Sequence, residues 1–131
     1  EKGARRVATP EQKRGLSGHL GIDVLVEQRF TQEWATQTPE RFLRAVCRAM
    51  HPQTLVVGFN YTFGRGAMGT VETMRQEAES MSFGLEVIPP ILWAGEMVSS
   101  TRIRQLLAAG YPAEAEMMAG HALSGAIRRE E

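Results

Sequence analysis

The sequence predicts an α/β fold built on a parallel sheet, and three observations carry that expectation. Short apolar runs with β-branched members alternate along the chain with segments whose apolar residues recur at helical spacing. Parallel strands need a crossover between them, usually a helix, so the alternation implies a sheet covered by helices on both faces. The helical segments also carry matching start and stop residues, Thr or Ser before them and Gly or Pro after.

In order, the first helix is expected from Thr9 to Leu20. Thr9 can cap it, Pro10 suits its first turn, Gln12 stands where a capping box wants it, and Gly21 stops it. Ile22 to Val26 is a brief apolar run, read as a buried strand, followed by a loop through Phe30 and Thr31. Thr38-Pro39 opens a second helix, with Phe42, Leu43, Val46, Cys47 and Met50 on one stripe and Arg41, Arg44 and Arg48 pointing elsewhere. His51-Pro52 ends it.

Leu55-Val56-Val57 is the second strand, closed by Gly58. A third helix runs from about Thr70 to Ser82, and Leu85 to Ile88 is the third strand. Trp93-Ala94-Gly95-Glu96 reads as a turn. Two short helices follow, about Ser100 to Ala109 and Pro112 to Ala119, separated by Gly110. Met74, Met117 and Met118 are expected on helix faces packing on the sheet, and Trp34 and Trp93 as partly buried anchors. No repeat, low-complexity segment or linker divides the chain, so one domain is the simplest organisation.

Composition narrows the function classes. With 43% hydrophobic and 23% charged residues, the chain has the balance of a soluble globular protein rather than a disordered one. Fifteen basic and fifteen acidic residues cancel, so no global field recruits nucleic acid or an anionic membrane. The distribution is uneven: residues 1–65 hold ten Lys/Arg against six Asp/Glu, the remainder five against nine. Arg5-Arg6 and Arg128-Arg129 are short runs of the solvated kind. The single cysteine, Cys47, permits no internal disulfide and suits a buried thiol. No run approaches the length of a membrane span and no signal-peptide pattern opens the chain, so a cytoplasmic location is expected. One Asp, Asp23, and three scattered His residues, His19, His51 and His121, make a protein-built metal cage improbable and give no triad pattern.

Two segments follow the carboxyl end of a strand, the edge where open α/β sheets bind ligands. The first is Gly58-Phe59-Asn60-Tyr61-Thr62-Phe63-Gly64-Arg65-Gly66-Ala67-Met68-Gly69. Its four glycines allow close approach of the backbone to a ligand. Its aromatics suit a planar ring, and Asn60 could donate and accept hydrogen bonds at the ring's edge. The alternative is a glycine-rich loop whose aromatics simply pack beneath it.

The second is Val98-Ser99-Ser100-Thr101-Arg102-Ile103-Arg104, opening a helix. Hydroxyl side chains beside unpaired backbone N–H groups, at the positive end of a helix dipole, form an anion site. Arg104, one turn in, can reach back to a phosphate held there. The alternative is an ordinary Ser cap with solvated arginines.

Together, these segments resemble the FMN-adenylylating domain of bacterial riboflavin kinase/FAD synthetases. The stretch from Arg6 through Thr9-Pro10-Glu11-Gln12-Lys13 to Leu20-Gly21-Ile22-Asp23 is similar to the one leading into that family's leucine-glycine-valine-aspartate strand. Arg29-Phe30-Thr31, Ala35 and Thr38-Pro39-Glu40-Arg41-Phe42 are similar to its next segment. Gly58 to Gly64 resembles its glycine-x-(Asp/Asn)-aromatic-x-phenylalanine-glycine signature. Val98 to Arg104 resembles the Ile-Ser-Ser-Thr-x-Ile-Arg motif shared by many nucleotidyltransferases.

The resemblance implies a Rossmann-like nucleotidyltransferase sheet and transfer of AMP from ATP to FMN, giving FAD and pyrophosphate. It implies that Ser99, Ser100, Thr101 and Arg104 hold the ATP phosphates and that Gly58, Asn60 and Phe63 line the flavin/adenine region. Mg²⁺ would arrive with ATP, held chiefly by phosphate oxygens and water.

The family's His-x-Gly-His motif and the strands around it are not found in the chain, so no catalytic residue is assigned. The expectation is a partial adenylyltransferase domain over residues 1–131, without the N-terminal strands and without the riboflavin kinase domain. A non-catalytic flavin- or nucleotide-binding or assembly module is the alternative. The unpaired strands would offer a route to self-association.

Overall fold

The computed structural model describes residues 6–123, so Arg5, Arg128 and Arg129 lie outside the described residues. The chain divides into two compact units, one of residues Glu1–Glu27 with Ile91–Glu131 and one of Gln28–Pro90.

The Gln28–Pro90 unit carries the parallel pairing that the sequence predicts. After a one-turn helix α2 (Gln32–Ala35), α3 runs over Pro39–Met50. Thr38 caps it by accepting from the Arg41 N–H, Pro39 fills its first position, and His51 closes it in a left-handed conformation. β1 (Thr54–Gly58) pairs in parallel with β2 (Gly84–Ile88), Leu55 opposite Leu85 and Val57 opposite Val87. The crossover between them holds α4 (Val71–Ala78), capped by Thr70.

Leu43, Phe63 and Met74 are buried together, with Phe42, Leu55, Val57, Met81 and Leu85 packed against them. Helices therefore cover one sheet face only. The expectation of two covered faces is corrected: the outer face carries Thr54, Val56, Glu86 and Ile88, all exposed, and its two polar members break the apolar continuity such burial requires. α4 is also shorter than expected, because Ser82 takes a positive φ and the Phe83 N–H turns back to Ala78.

The other unit opens with α1 (Pro10–His19), whose Thr9–Gln12 capping box forms as predicted. β3 (Leu92–Trp93) and β4 (Glu96–Met97) form a hairpin across Ala94-Gly95, both at positive φ as a primed two-residue turn requires. α5 (Ser100–Ala108) and α6 (Pro112–Ala119) pack on one another through Ile103, Leu106, Ala115 and Met118, and Leu123 closes this core. Met118 thus packs on a helix rather than on the sheet, and Met117 is exposed.

The strand expected at Ile22–Val26 does not form. No strand among the described residues pairs with this run, and Val24 is 75% exposed. A strand holds its backbone polar groups only through a partner, so apolar, β-branched composition does not suffice. Arg14 and Glu27, joined at 2.9 Å, pin the end of the segment to α1, and that contact holds the Glu27 carboxyl below its ordinary range.

Candidate functional site

The loop after β1 is built inward. The Phe59 N–H donates to the Ile88 carbonyl, extending the ladder by one residue, and the Tyr61 N–H turns back to Gly58 at 3.1 Å. Phe63 and Gly69 then exchange two backbone hydrogen bonds, of 3.0 and 2.8 Å, closing residues 63–69 into a compact lobe.

Two glycines are required here by contact. A Cβ on Gly69 would lie 2.7 Å from the Phe63 ring and carbonyl, and one on Gly64 would lie 2.9 Å from the Pro39 backbone. Gly64 also holds φ 75°, ψ −179°, a region open essentially to glycine alone. The lobe is tied to the start of α3 by the Arg65 N–H, which donates to the Gln37 carbonyl at 2.7 Å.

The aromatics form a chain with centroids 5.5–5.8 Å apart: Trp34 meets Phe42 edge-on, Phe42 is tilted on Phe63, and Phe63 stacks on Tyr61. Phe63 is only 6% exposed and belongs to the core, so its ring supports the loop from beneath. Tyr61, nearly parallel to it, and Phe59 are the rings open to solvent. Burial against Phe63 raises the Tyr61 phenol above its ordinary value. Gly58 and Asn60 are exposed at the strand end.

Phe59 and Tyr61 stood in the sequence, but nothing local distinguished them from Phe63. Gln37 carried no local signal at all. Its side-chain Oε1 is buried without a hydrogen-bond partner among the described residues.

The start of α5 is built outward. Ser99 is the cap, in extended conformation, its Oγ accepting from the Arg102 N–H at 3.1 Å. Ile103 and Leu106 commit the opposite side of the helix to the core. At about 100° per residue, Ser100, Thr101 and Arg104 then fall within one arc of roughly 100°. Ser100 and Thr101 are exposed and Arg104 is half-buried, its Nη2 donating to Thr101 Oγ1 at 3.5 Å. Arg102 is turned away from this group and bonds Glu96 at 2.8 Å. Ser100, Thr101 and Arg104 are thus brought together, and Ser99 supports them as the cap.

These are the two segments that bear on family membership. The sequence profile of the family described as FAD synthetase matches residues 1–102, which include the loop after β1 and the first residues of α5 up to Arg102, while Arg104 lies just beyond the match. The chain belongs to the FAD synthetase family.

Relatives agree with this membership. A FAD synthetase of Listeria monocytogenes is 32% identical over 119 residues, covering 89% of this chain and 48% of its own. A bifunctional riboflavin kinase/FMN adenylyltransferase of Escherichia coli K12 is 26% identical over 130 residues, covering 97% of this chain and 42% of its own. The chain therefore spans about half or less of these curated relatives.

Among solved structures, one titled as a macrolide-efflux protein from Streptococcus pneumoniae superposes with a TM-score of 0.79 at 27% identity, covering 89% of this chain and 37% of that one. Among the described residues of the FAD synthetase family chain, no helix is long and apolar enough to cross a membrane.

Proposed function

We propose that this chain supplies the substrate-binding elements of an FMN adenylyltransferase. In that reaction an FMN phosphate oxygen bonds to the α-phosphorus of ATP, the bond from that phosphorus to the bridging β-oxygen breaks, and FAD and pyrophosphate result. The observation that carries the reading is the start of α5. A helix N-terminus with free amides, two exposed hydroxyls and a guanidinium in one arc suits a triphosphate.

Ser100 and Thr101 donate their hydroxyl protons to phosphate oxygens, and Arg104 balances charge that moves onto the leaving pyrophosphate. Ser99 fixes the first turn, and its remaining hydroxyl proton is available to the same oxygens. On the loop, Gly58 and Asn60 meet the edge of the flavin or adenine, while Phe63 acts by holding Tyr61 in place. Positioning and charge stabilisation, rather than covalent chemistry, are what these residues offer.

Among the described residues no group of three or more His, Cys, Asp and Glu side chains is arranged to hold a metal ion. Mg²⁺ would arrive with ATP, held chiefly by phosphate oxygens and water, a role that asks few carboxylates of the protein.

The test is to titrate the 131-residue chain with ATP and, separately, with FMN, following FMN fluorescence, and then to assay FAD after mixing. Saturable binding of both with little or no FAD is expected, since the sequence holds no His-x-Gly-His motif. Binding of neither nucleotide would overturn the reading. Efficient FAD formation would show that the motif is dispensable.

A further inference from the structure

A second charged surface is left unused by this reading. Leu43 and Phe42 fix one side of α3 against the core, and the opposite side carries Arg41, Arg44 and Arg48. At about 100° per residue the three lie within an arc of roughly 60°. All three are exposed, and none has a carboxylate within ion-pair distance among the described residues, although Glu40 is adjacent in sequence.

With Thr38, Glu40 and Ala45 they line one surface concavity of about 360 Å³. Like charges one turn apart weaken a helix, and Arg41 in the first turn opposes the dipole. The Thr38 cap and the apolar face hold α3 together despite this repulsion, so the three guanidiniums remain grouped, with Glu40 the one carboxylate lining the same concavity.

We propose that this face of α3 binds a small, multiply charged phosphate anion, with Arg41, Arg44 and Arg48 as its ligands. Each guanidinium offers a planar fork of donors matched to phosphate oxygens. Three arginines less Glu40 leave the concavity a formal net charge of about +2, more than a single carboxylate returns, and a phosphate anion of two or more charges returns it within a small volume. The concavity is at the low end of the range of about 300–1,000 Å³ typical of small-ligand sites. Glu40 stands on the same wall and repels any anion, which disfavours weakly charged ligands most. A nucleic acid is the less favoured partner, because the basic row spans only about 10 Å of helix and the chain is neutral overall. The proposal concerns a different helix from α5 and does not rest on the nucleotide reading.

Inorganic tripolyphosphate is the probe. It would be titrated into the full chain while the side-chain Nε–H resonances of the arginines are followed by NMR. Saturable shifts at Arg41, Arg44 and Arg48 are expected. Arg44→Gln should weaken binding at these positions about tenfold, Glu40→Gln should tighten it, and Arg75→Gln, at an exposed position of α4, should leave it within twofold. The shifts should persist in Arg104→Ala, so failure of the α5 reading is distinguishable from failure of this one.

The side chains of Glu40, Arg44 and Arg75 are exposed and that of Arg104 is half-buried, and circular dichroism verifies that each variant is folded. Unshifted resonances, unchanged affinity in Arg44→Gln, or equal loss in Arg75→Gln would overturn the proposal. So would displacement of tripolyphosphate by a short single-stranded oligonucleotide at much lower concentration.

Discussion

The loop after β1 and the start of α5 differ in construction: the loop turns Phe63 and Gly64 into the fold, and α5 keeps its leading hydroxyls outward. In the loop, two signature residues are committed to the fold: Phe63 is in the core, with Gly69 beyond the signature pressed on its ring, and Gly64 is against Pro39, while Gly58 and Asn60 stay exposed. At α5 the hydroxyl residues Ser100 and Thr101 face solvent, while Ile103 of the same motif packs in the core with Leu106 and Arg104 is half-buried. The lesson is that part of the first motif is held by the packing of the fold, whereas the exposed hydroxyls of the second are not. Substitutions separate the two.

The largest effect is expected at Gly64→Ala. It combines a backbone conformation closed to alanine with a 2.9 Å approach to Pro39, so a loss of roughly 2–4 kcal/mol is expected in urea denaturation. A loss below 0.5 kcal/mol would erase the contrast from the loop's side.

Ser99→Ala comes next, costing about 1 kcal/mol of stability by removing the α5 cap. A value near zero in the same experiment would show that the turn stands without its cap and that Ser99 belongs with the outward group.

The smallest effect is at Tyr61. Burial raises its phenol, so the folded chain keeps this proton to higher pH than the unfolded chain does. The group's contribution to stability is complete below its ordinary value near 10 and is lost as pH rises through the higher folded value. Ultraviolet titration, with Tyr61→Phe as the reference, should place its midpoint above 10.

How legible these regions were follows from the same contrast. The caps at Thr9, Thr38 and Ser99 are local events within three residues, and each forms where the sequence places a cap. The parallel pairing of β1 and β2 was readable because a helix stands between two apolar runs.

Ile22–Val26 and Leu55–Val57 looked alike as sequences, yet only the second became a strand. The difference is a partner, and partners are not written in a five-residue window. The division of labour among Phe59, Tyr61 and Phe63 was hidden for a related reason. Which ring is covered depends on Phe42 of α3 and Met74 of α4, both distant in sequence.

The central claim is that Arg104 serves a ligand rather than the fold. The most direct measurement pairs thermal unfolding with ATP titration for the intact chain and Arg104→Ala. The account predicts a melting midpoint within about 2 °C of the parent, together with ATP affinity lowered about tenfold or more. Unchanged ATP affinity, or a loss of affinity only in step with unfolding, would contradict it.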